Sequence, residues 1–366
     1  MSADLCHRPP DHALERCAVP RLLRGLRPVL DPLVHAARGT AGIQGRHARV
    51  RATAHGGDSD HAADAPSSPN PGDAITIPPL DNTSVYAGVY AGQRVALLTQ
   101  HGKDRVIAPL LKSALGCQVV RVAGYDTDLL GTFTRDIPRA GTQLEAARRK
   151  ARIGMQLAGW PLGLASEGSF GLDPTMGMFP WNVEFLIWID DVHELEVVGV
   201  AQGKANFAHL LARDWAAVET FARQWGFPEH HMVVRPERED DSRIRKGISS
   251  WTELEATFTW AHEQSPSGLV FLEVDVRAHA NPTRLENIRL ATEDLVKKLL
   301  TFCPECGAPG FWIVEHIAGL PCEECGTPTQ EPQADVLGCV KCQHRITRQR
   351  TDRNTADPGR CPYCNP

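Results

Sequence analysis

The chain has 366 residues, of which 42% are hydrophobic and 23% charged, and its formal net charge is −5. At roughly 150 residues per domain, this length predicts two or three folded units with a sizeable core, so stability does not require a disulfide framework. The acidic balance argues against a protein coated for nucleic acid or anionic membrane, and no apolar run approaches the roughly 20 residues of a membrane-spanning helix.

The first 80 residues differ in composition from the rest of the chain. Residues 51–79 are dominated by Ala, Gly, Asp, Ser and Pro. A segment of this kind buries too little apolar surface to offset the entropy cost of ordering it, so we predict a disordered tail over residues 1–80. The segment RLLRGLRPVL is broken by arginines and a proline, and it lacks the apolar centre of a signal peptide. We therefore expect a cytoplasmic protein.

Strands and helices are predicted to alternate from residue 92 to residue 300. Short apolar runs bounded by turn residues predict buried strands, and apolar residues spaced three and four apart predict helices. The predicted strands cover residues 94–99, 117–123, 161–166, 183–189, 195–200, 232–236 and 269–278. The predicted helices cover residues 106–115, 143–158, 206–225, 250–263 and 281–300. This order predicts one α/β domain over residues 92–300, with a parallel or mixed sheet and helices on both faces.

Eight of the eleven cysteines form four C-x-x-C pairs near the end of the chain. The pairs are Cys303/Cys306, Cys322/Cys325, Cys339/Cys342 and Cys361/Cys364. Two residues between cysteines let both thiolates of a tight turn face one ion, and two such turns supply the four sulfurs of a tetrahedral Zn²⁺ site. We therefore predict two structural Zn²⁺ ions in a double zinc-ribbon module over residues 301–366. Sequential, interleaved and nested combinations of the four turns are all compatible with the spacing.

The net charge of this module indicates which class of partner it could bind. Residues 301–366 include six basic and eight acidic side chains, and each Zn(Cys)₄ centre would add two further negative charges. Binding to nucleic acid needs accumulated positive charge, and only the segment RITRQRTDR is locally basic. We expect a structural role or a protein partner for the module, and nucleic acid is the less favoured partner.

Three segments in the first half of the α/β domain have residues suited to binding an anion. The loop TQHGK follows the first strand and leads into a helix, where backbone amides and Lys103 favour an anion beside Gln100. The helix QLEAARRKAR includes Glu145 and Lys150, which can border one cleft. The segment LASEGSFG places Glu167 at a strand end, where functional residues of α/β sheets concentrate. A solvated loop and a salt-bridged helix surface are the structural alternatives for the first two segments.

A fourth segment, DVRAHANPTR, comes before the last predicted helix. Asn281 suits the N-cap of that helix and Pro282 suits its first position. These structural roles do not explain Arg277, His279 and Arg284, which all lie around the same helix start. We predict that these three residues form part of an anion site.

In this order the first three segments resemble the nucleoside triphosphate pyrophosphatases of the inosine triphosphatase and Maf-like group. LLTQHGK resembles the first loop of that family, EAARRKAR resembles its E-N-A-x-x-K-A-R helix, and Ser166-Glu167 resembles its acidic strand end. The resemblance implies a Mg²⁺-dependent hydrolase of nucleotide phosphoanhydrides. It implies that Lys103 and Lys150 hold phosphates. It also implies that Glu145 helps to bind Mg²⁺ and that Glu167 is a metal ligand or the base.

The chain departs from this pattern at three positions. Gln100 and Ala146 stand where the family has Asn, and Ser166 stands where it has Asp. The alternative function is therefore a non-enzymatic protein that binds an anion or a nucleotide in its α/β domain. Its zinc ribbons would then contact a protein or a nucleic acid.

Residues 94–366 also look like a family of bacterial proteins that is described as a domain of unknown function. The shared features are an H-G-K loop, an A-S-E-G-S-F-G strand end, an R-A-H-x-N-P-T-R segment and cysteine turns that end in C-N-P. This resemblance implies the architecture, an α/β domain followed by cysteine turns, and it implies no activity.

Overall fold

The computed structural model describes residues 88–130, 141–174 and 176–366. The predicted disordered tail over residues 1–80 lies outside the described residues. The described chain forms three sheets, with five, four and three strands. None of the described helices is long and apolar enough to cross a membrane.

The first sheet is mixed, with the strand order β2-β1-β3-β4-β5. Its strands are β1 (Arg94–Leu98), β2 (Gln118–Val122), β3 (Leu162–Leu172), β4 (Pro180–Asp190) and β5 (Leu195–Lys204). β1 is parallel to both β2 and β3, whereas β3, β4 and β5 form an antiparallel meander. The carboxyl end of β1 lies beside the middle of β3, because Leu97 pairs with Leu164 and β3 continues to Leu172. The chain runs from β1 to β2 on one side of β1 and then to β3 on the other, and α/β sheets bind ligands at such a reversal, so we refer to this place as the crevice.

Helices cover both faces of this sheet, as predicted. The helices of the described chain are α1 (Asp104–Leu115), α2 (Gln143–Ala158), α3 (Trp215–Gln224), α4 (Trp251–Glu263) and α5 (Pro282–Leu299). α1 and α5 pack on one face, where Leu111 and Leu295 join Leu164 in the core. α2 packs on the other face, where Ala151 contacts the cluster around Ile187. The mixed sheet with helices on both faces is confirmed.

The second sheet is antiparallel throughout and has the strand order β6-β9-β7-β8. Its strands are β6 (His209–Ala212), β7 (Met232–Pro236), β8 (Arg245–Ile248) and β9 (Val270–Val274). α3 and α4 share a core with this sheet, in which Val218 and Leu254 join Val234 and Leu272. The alternation of strands and helices in the sequence did not predict this second sheet.

The helix predicted over residues 206–225 is wrong in its first half. Residues 209–212 form β6, which pairs with β9 and thereby satisfies its backbone groups. Helix α3 starts only after Asp214, whose side chain accepts a hydrogen bond from the backbone N–H of Ala217 at 2.9 Å. This N-cap fixes the start of the helix beyond the strand.

The third sheet lies in the cysteine-rich module and has the order β10-β11-β12. Its antiparallel strands are β10 (Trp312–Ala318), β11 (Pro332–Gly338) and β12 (Arg345–Gln349). The module packs on the first sheet, because Phe311 and Ala308 share an apolar cluster with Leu195 of β5. Nζ of Lys341 also donates a hydrogen bond to the carbonyl of His193 at 3.0 Å.

Candidate metal centres and the surroundings of Lys103

The eight paired cysteines gather into two groups of four. The first group is Cys303, Cys306, Cys339 and Cys342, and the second is Cys322, Cys325, Cys361 and Cys364. Within each group, the four Sγ atoms all lie within 4.8 Å of one another. The first turn therefore combines with the third and the second with the fourth. This interleaved arrangement is one of those that the sequence left open.

The spacing of the sulfurs matches a tetrahedral zinc site. Sγ atoms from different turns are 3.6–3.9 Å apart in the pairs Cys303–Cys342, Cys306–Cys339, Cys322–Cys364 and Cys325–Cys361. Four sulfurs at roughly 2.3 Å from one Zn²⁺ ion are about 3.8 Å from each other. Each group could therefore hold one ion, and the all-thiolate donor set is compatible with structural zinc.

The turns also have the backbone geometry that metal-binding cysteines require. The backbone N–H of Lys341 donates to Sγ of Cys339 at 3.3 Å, as amides around a thiolate do. Gly307 and Gly326 follow the first two turns in the left-handed conformation, with φ angles of 67° and 71°. Gln343 has the same conformation after the third turn, with a φ of 62°.

Lys103 lies at the crevice, where α1 begins. Its side chain is 6% exposed, and Nζ donates hydrogen bonds to the carbonyl and to Oγ of Ser166 at 3.0 and 3.4 Å. Burial lowers the pKa of Lys103 to about 7, the positive charge of Arg284 adds to this effect, and Glu184 opposes it. Lys103 therefore changes its charge near neutral pH, and an anion bound nearby would favour its charged form.

Glu167 lies in the middle of β3 and not at a strand end as predicted, because the pairing with β4 continues to Leu172. Glu167 forms an ion pair with α2. Nζ of Lys150 lies 2.5 Å from Oε2 of Glu167, and both side chains are largely buried. Gln143 of α2 donates to the carbonyl of Glu167 at 2.7 Å. Successive residues of a strand point to opposite faces, so Ser166 and Glu167 connect the crevice to both helical layers.

Glu184 of β4 is a central residue of this site that the sequence analysis missed. Its side chain accepts hydrogen bonds from Nε of Arg284 at 2.8 Å and from Oγ of Ser166 at 3.3 Å. Nδ2 of Asn182 also donates to it, at 3.2 Å. A signal was present in the sequence, because Asn182 and Glu184 are two positions apart in a strand that is otherwise apolar up to Asp190. They therefore share one face of the sheet.

Gly168 makes room for this ion pair. It lies opposite Glu184 in the pairing of β3 with β4. A Cβ atom at Gly168 would lie 2.7 Å from Nη2 of Arg284 and closer still to Oε1 of Glu184. The glycine in the segment SEGSFG is therefore required by a close approach of two side chains to the backbone.

The residues predicted around the start of α5 lie beside the same crevice. The ring of His279 stacks on that of His101, from the loop after β1, with centroids 5.3 Å apart. Partial burial lowers the pKa of His279, and the charges of Arg277 and Arg105 lower it further. Nη2 of Arg277 lies 2.5 Å from Oδ2 of Asp275, which opposes this effect.

A family model for a domain of unknown function, DUF6671, matches residues 150–366, which is more than half of the chain. The chain belongs to the DUF6671 family. No curated protein matches the chain. The DUF6671 match includes both groups of cysteines together with Glu167, Glu184 and Arg284, whereas β1 and Lys103 precede it.

Two of the predicted site residues have local partners outside the DUF6671 match. Glu145 is exposed, and its Oε2 accepts a hydrogen bond from the backbone N–H of Thr142 at 2.8 Å, which completes a capping box at the start of α2. Hydrogen bonds from Thr142 lower the pKa of Glu145. Oε1 of Gln100 accepts a hydrogen bond from Oγ1 of Thr127 at 3.1 Å.

The geometry of the crevice carboxylates lends no support to the Mg²⁺ site that the pyrophosphatase resemblance implies. Within the described residues, the groups of three or more His, Cys, Asp or Glu side chains that could hold a metal are the two cysteine groups. Glu167 is paired with Lys150, and Glu184 is paired with Arg284. A Mg²⁺ ion at the crevice would therefore need phosphate oxygens of a ligand for most of its coordination.

Proposed function

We propose that the chain binds a nucleotide or another phosphate-bearing small molecule in the crevice at the carboxyl end of β1, beside Ser166 of β3. The observation that carries this proposal is the buried side chain of Lys103, whose pKa is lowered to about 7. Burying an ammonium group costs free energy, and a ligand that supplies the opposite charge would offset this cost.

The charges around Lys103 support an anionic ligand. Its electrostatic neighbours are two cations and two carboxylates, Arg284, Lys150, Glu184 and Glu167. When Lys103 is protonated, this group of five side chains has one positive charge in excess. A bound anion would compensate that charge.

The start of α1 supports a phosphate in particular. Lys103 is the N-cap residue of this helix, and its side chain makes no capping hydrogen bond. The N–H groups of Arg105 and Val106 already donate to the carbonyls of Gly102 and Lys103, both at 3.2 Å, so the feature that favours phosphate oxygens here is the helix dipole. Lys103 and the helix start both lie where the order of the strands reverses, which is the usual ligand site of such sheets.

Hydrolysis of a nucleotide phosphoanhydride is the second candidate function. Glu167 favours it, because a buried carboxylate that is paired with Lys150 and acts electrostatically on Lys103 could orient an attacking water. Mg²⁺ would then arrive with the nucleoside triphosphate as part of the substrate, since Mg²⁺ commonly needs only one or two carboxylates when phosphates supply its other ligands.

One set of measurements tests both candidates. Binding of phosphate, pyrophosphate and nucleoside triphosphates, with and without Mg²⁺, is measured by calorimetry on the full chain. We expect Lys103→Met to weaken binding at least tenfold, whereas Lys112→Met, an exposed position on the same helix, leaves it unchanged. Absence of binding to the wild-type chain would contradict the proposal.

Hydrolysis is followed separately, as phosphate or pyrophosphate release from a panel of nucleoside triphosphates. If the chain is a hydrolase, Glu167→Gln removes turnover and leaves binding within a few fold. Absence of turnover with every substrate rules out the second candidate and leaves the first standing. Turnover that survives both Glu167→Gln and Glu145→Gln rules out the acids that the resemblance implies.

For the cysteine-rich module we propose a structural role with two Zn²⁺ ions and contacts to a protein partner. Its apolar cluster with Leu195 supports the structural role. Ion pairs of Arg348 with Asp335 and of Arg350 with Asp352 offset the local basic charge, which supports a protein over nucleic acid. The described cysteines are free rather than disulfide-bonded, which supports the expected cytoplasmic location.

A further inference from the structure

Two histidines from separate parts of the chain stack on each other beside the start of α1. His101 belongs to the loop after β1 and His279 to the 3₁₀ turn before α5, and their ring planes are inclined by 25°. Gly102 follows His101 in the left-handed conformation, with a φ of 68°, and its Cβ position lies 3.9 Å from Cβ of His279, an ordinary van der Waals separation. Nε of Arg105 lies next to the same position, at 3.7 Å.

The ionisable groups that act on His279 are mostly basic. Arg277 of the turn, His231 before β7 and Arg105 of α1 all act on His279 in the same direction. The carboxylate that opposes them is Asp275, which is already paired with Arg277. Two stacked imidazoles in such surroundings repel each other when both are protonated, and an anion placed against both rings relieves the repulsion.

The histidine pair is connected to Lys103 through the chain and to Arg284 through a hydrogen bond. His101 is two residues from Lys103, so their Cα atoms are at most roughly 7 Å apart. Nη1 of Arg284 donates to the carbonyl of Val276, the residue next to Arg277, at 2.7 Å. Lys103 and Arg284 therefore keep a fixed position relative to the histidine pair.

We infer that His101, His279 and Arg105 form a second anion subsite beside the one at Lys103, so that the ligand of the crevice has two adjacent anionic groups, as a diphosphate does. The inference rests on the proposed function of the same crevice and specifies its ligand class. The inner subsite holds one phosphate group at Lys103 and the start of α1. The outer subsite holds the next group along the ligand and distinguishes a diphosphate from a monophosphate.

The test compares inorganic phosphate with inorganic pyrophosphate on the full chain, by calorimetry at pH 7 and constant ionic strength. We expect the wild-type chain to bind pyrophosphate at least tenfold more tightly than phosphate. In His101→Asn/His279→Asn the affinity for pyrophosphate falls at least tenfold, and that for phosphate stays within twofold. His316→Asn, which changes an exposed histidine of β10, leaves both affinities unaltered.

Arg105→Met gives an independent measurement should the double histidine variant fail to fold, because Arg105 is exposed. It is expected to weaken pyrophosphate binding at least threefold without affecting phosphate. A pyrophosphate preference that persists in these variants overturns the second subsite while the proposed function stands. An equal loss for both anions also overturns it, since the histidines would then act on the inner site. If neither anion binds the wild-type chain, the proposed function itself fails.

Discussion

Arg284 and Glu184 form an ion pair that is buried between α5 and β4. Nε of Arg284 lies 2.8 Å from Oε1 of Glu184, and the two side chains are 1% and 0% exposed. The residues are 100 positions apart in the chain, so the pair joins the last helix of the α/β region to the first sheet. It also sets the positions of Ser166 and Lys103, because Glu184 accepts a hydrogen bond from Ser166 and Lys103 donates to Ser166.

Replacing one residue of this pair is expected to lower the free energy of unfolding more than replacing both. Arg284→Met leaves the carboxylate of Glu184 buried without its cation, and we expect a loss of about 3 to 5 kcal/mol in the free energy of unfolding. The double variant Arg284→Met/Glu184→Met should recover most of that loss, since apolar side chains need no compensation. Urea denaturation measures both variants. Arg289→Met, which breaks an exposed pair on α5, is the control and should change little.

The glycine under this ion pair provides a second test. Gly168→Ala places a Cβ atom against both Glu184 and Arg284, so the side chains must shift, and we expect a loss of about 1 to 3 kcal/mol. Gly171→Ala is the matched control on the same strand, because nothing lies within 4 Å of its Cβ position. Equal denaturation midpoints for the two variants would show that the ion pair tolerates displacement.

Several local features could be predicted from the sequence because they depend on neighbouring residues. Helix α2 occupies the predicted residues 143–158, and Asn281 caps α5 as expected. In contrast, the role of Glu184 depends on Arg284, which is brought to it only by the folding of the whole region. A pattern within one strand indicates which face Glu184 occupies and does not reveal its partner.

The second sheet could not be predicted for a similar reason. The segment 209–212 is short, and its composition suits a helix as well as a strand. Its pairing with β9 decides between the two. The C-x-x-C spacing likewise predicts each cysteine turn. Which two turns share one ion depends on how β10, β11 and β12 are arranged in the sheet of the module.

Lys103 is expected to make the stability of the chain depend on pH. The pKa of its ammonium group is about 7 in the folded chain against an ordinary value of 10.5. Between these values the unfolded chain binds more protons than the folded one, so the free energy of unfolding rises with pH, by at most about 1.4 kcal/mol per unit. The penalty on the folded state is therefore largest below pH 7 and disappears as the pH approaches 10.5.

Lys103→Met removes this titration. We expect the stability of the wild-type chain relative to Lys103→Met to increase from pH 7 to pH 9, as measured by urea denaturation at constant ionic strength. Lys112→Met, exposed on the same helix, should give a difference from wild type that does not vary over this range. A difference for Lys103→Met that is equally flat would contradict the lowered pKa.

The interleaved arrangement of the cysteines can be tested by counting zinc. Cys303 and Cys339 belong to the same group of four, whereas Cys303 and Cys322 belong to different groups. Cys303→Ser/Cys339→Ser should therefore damage one site and retain about one Zn²⁺ per chain, and Cys303→Ser/Cys322→Ser should damage both sites and retain almost none. Metal content is measured by atomic emission after dialysis against a weak chelator. Sequential combination of the turns predicts the reverse result for the two variants, because Cys303 and Cys322 would then share one ion.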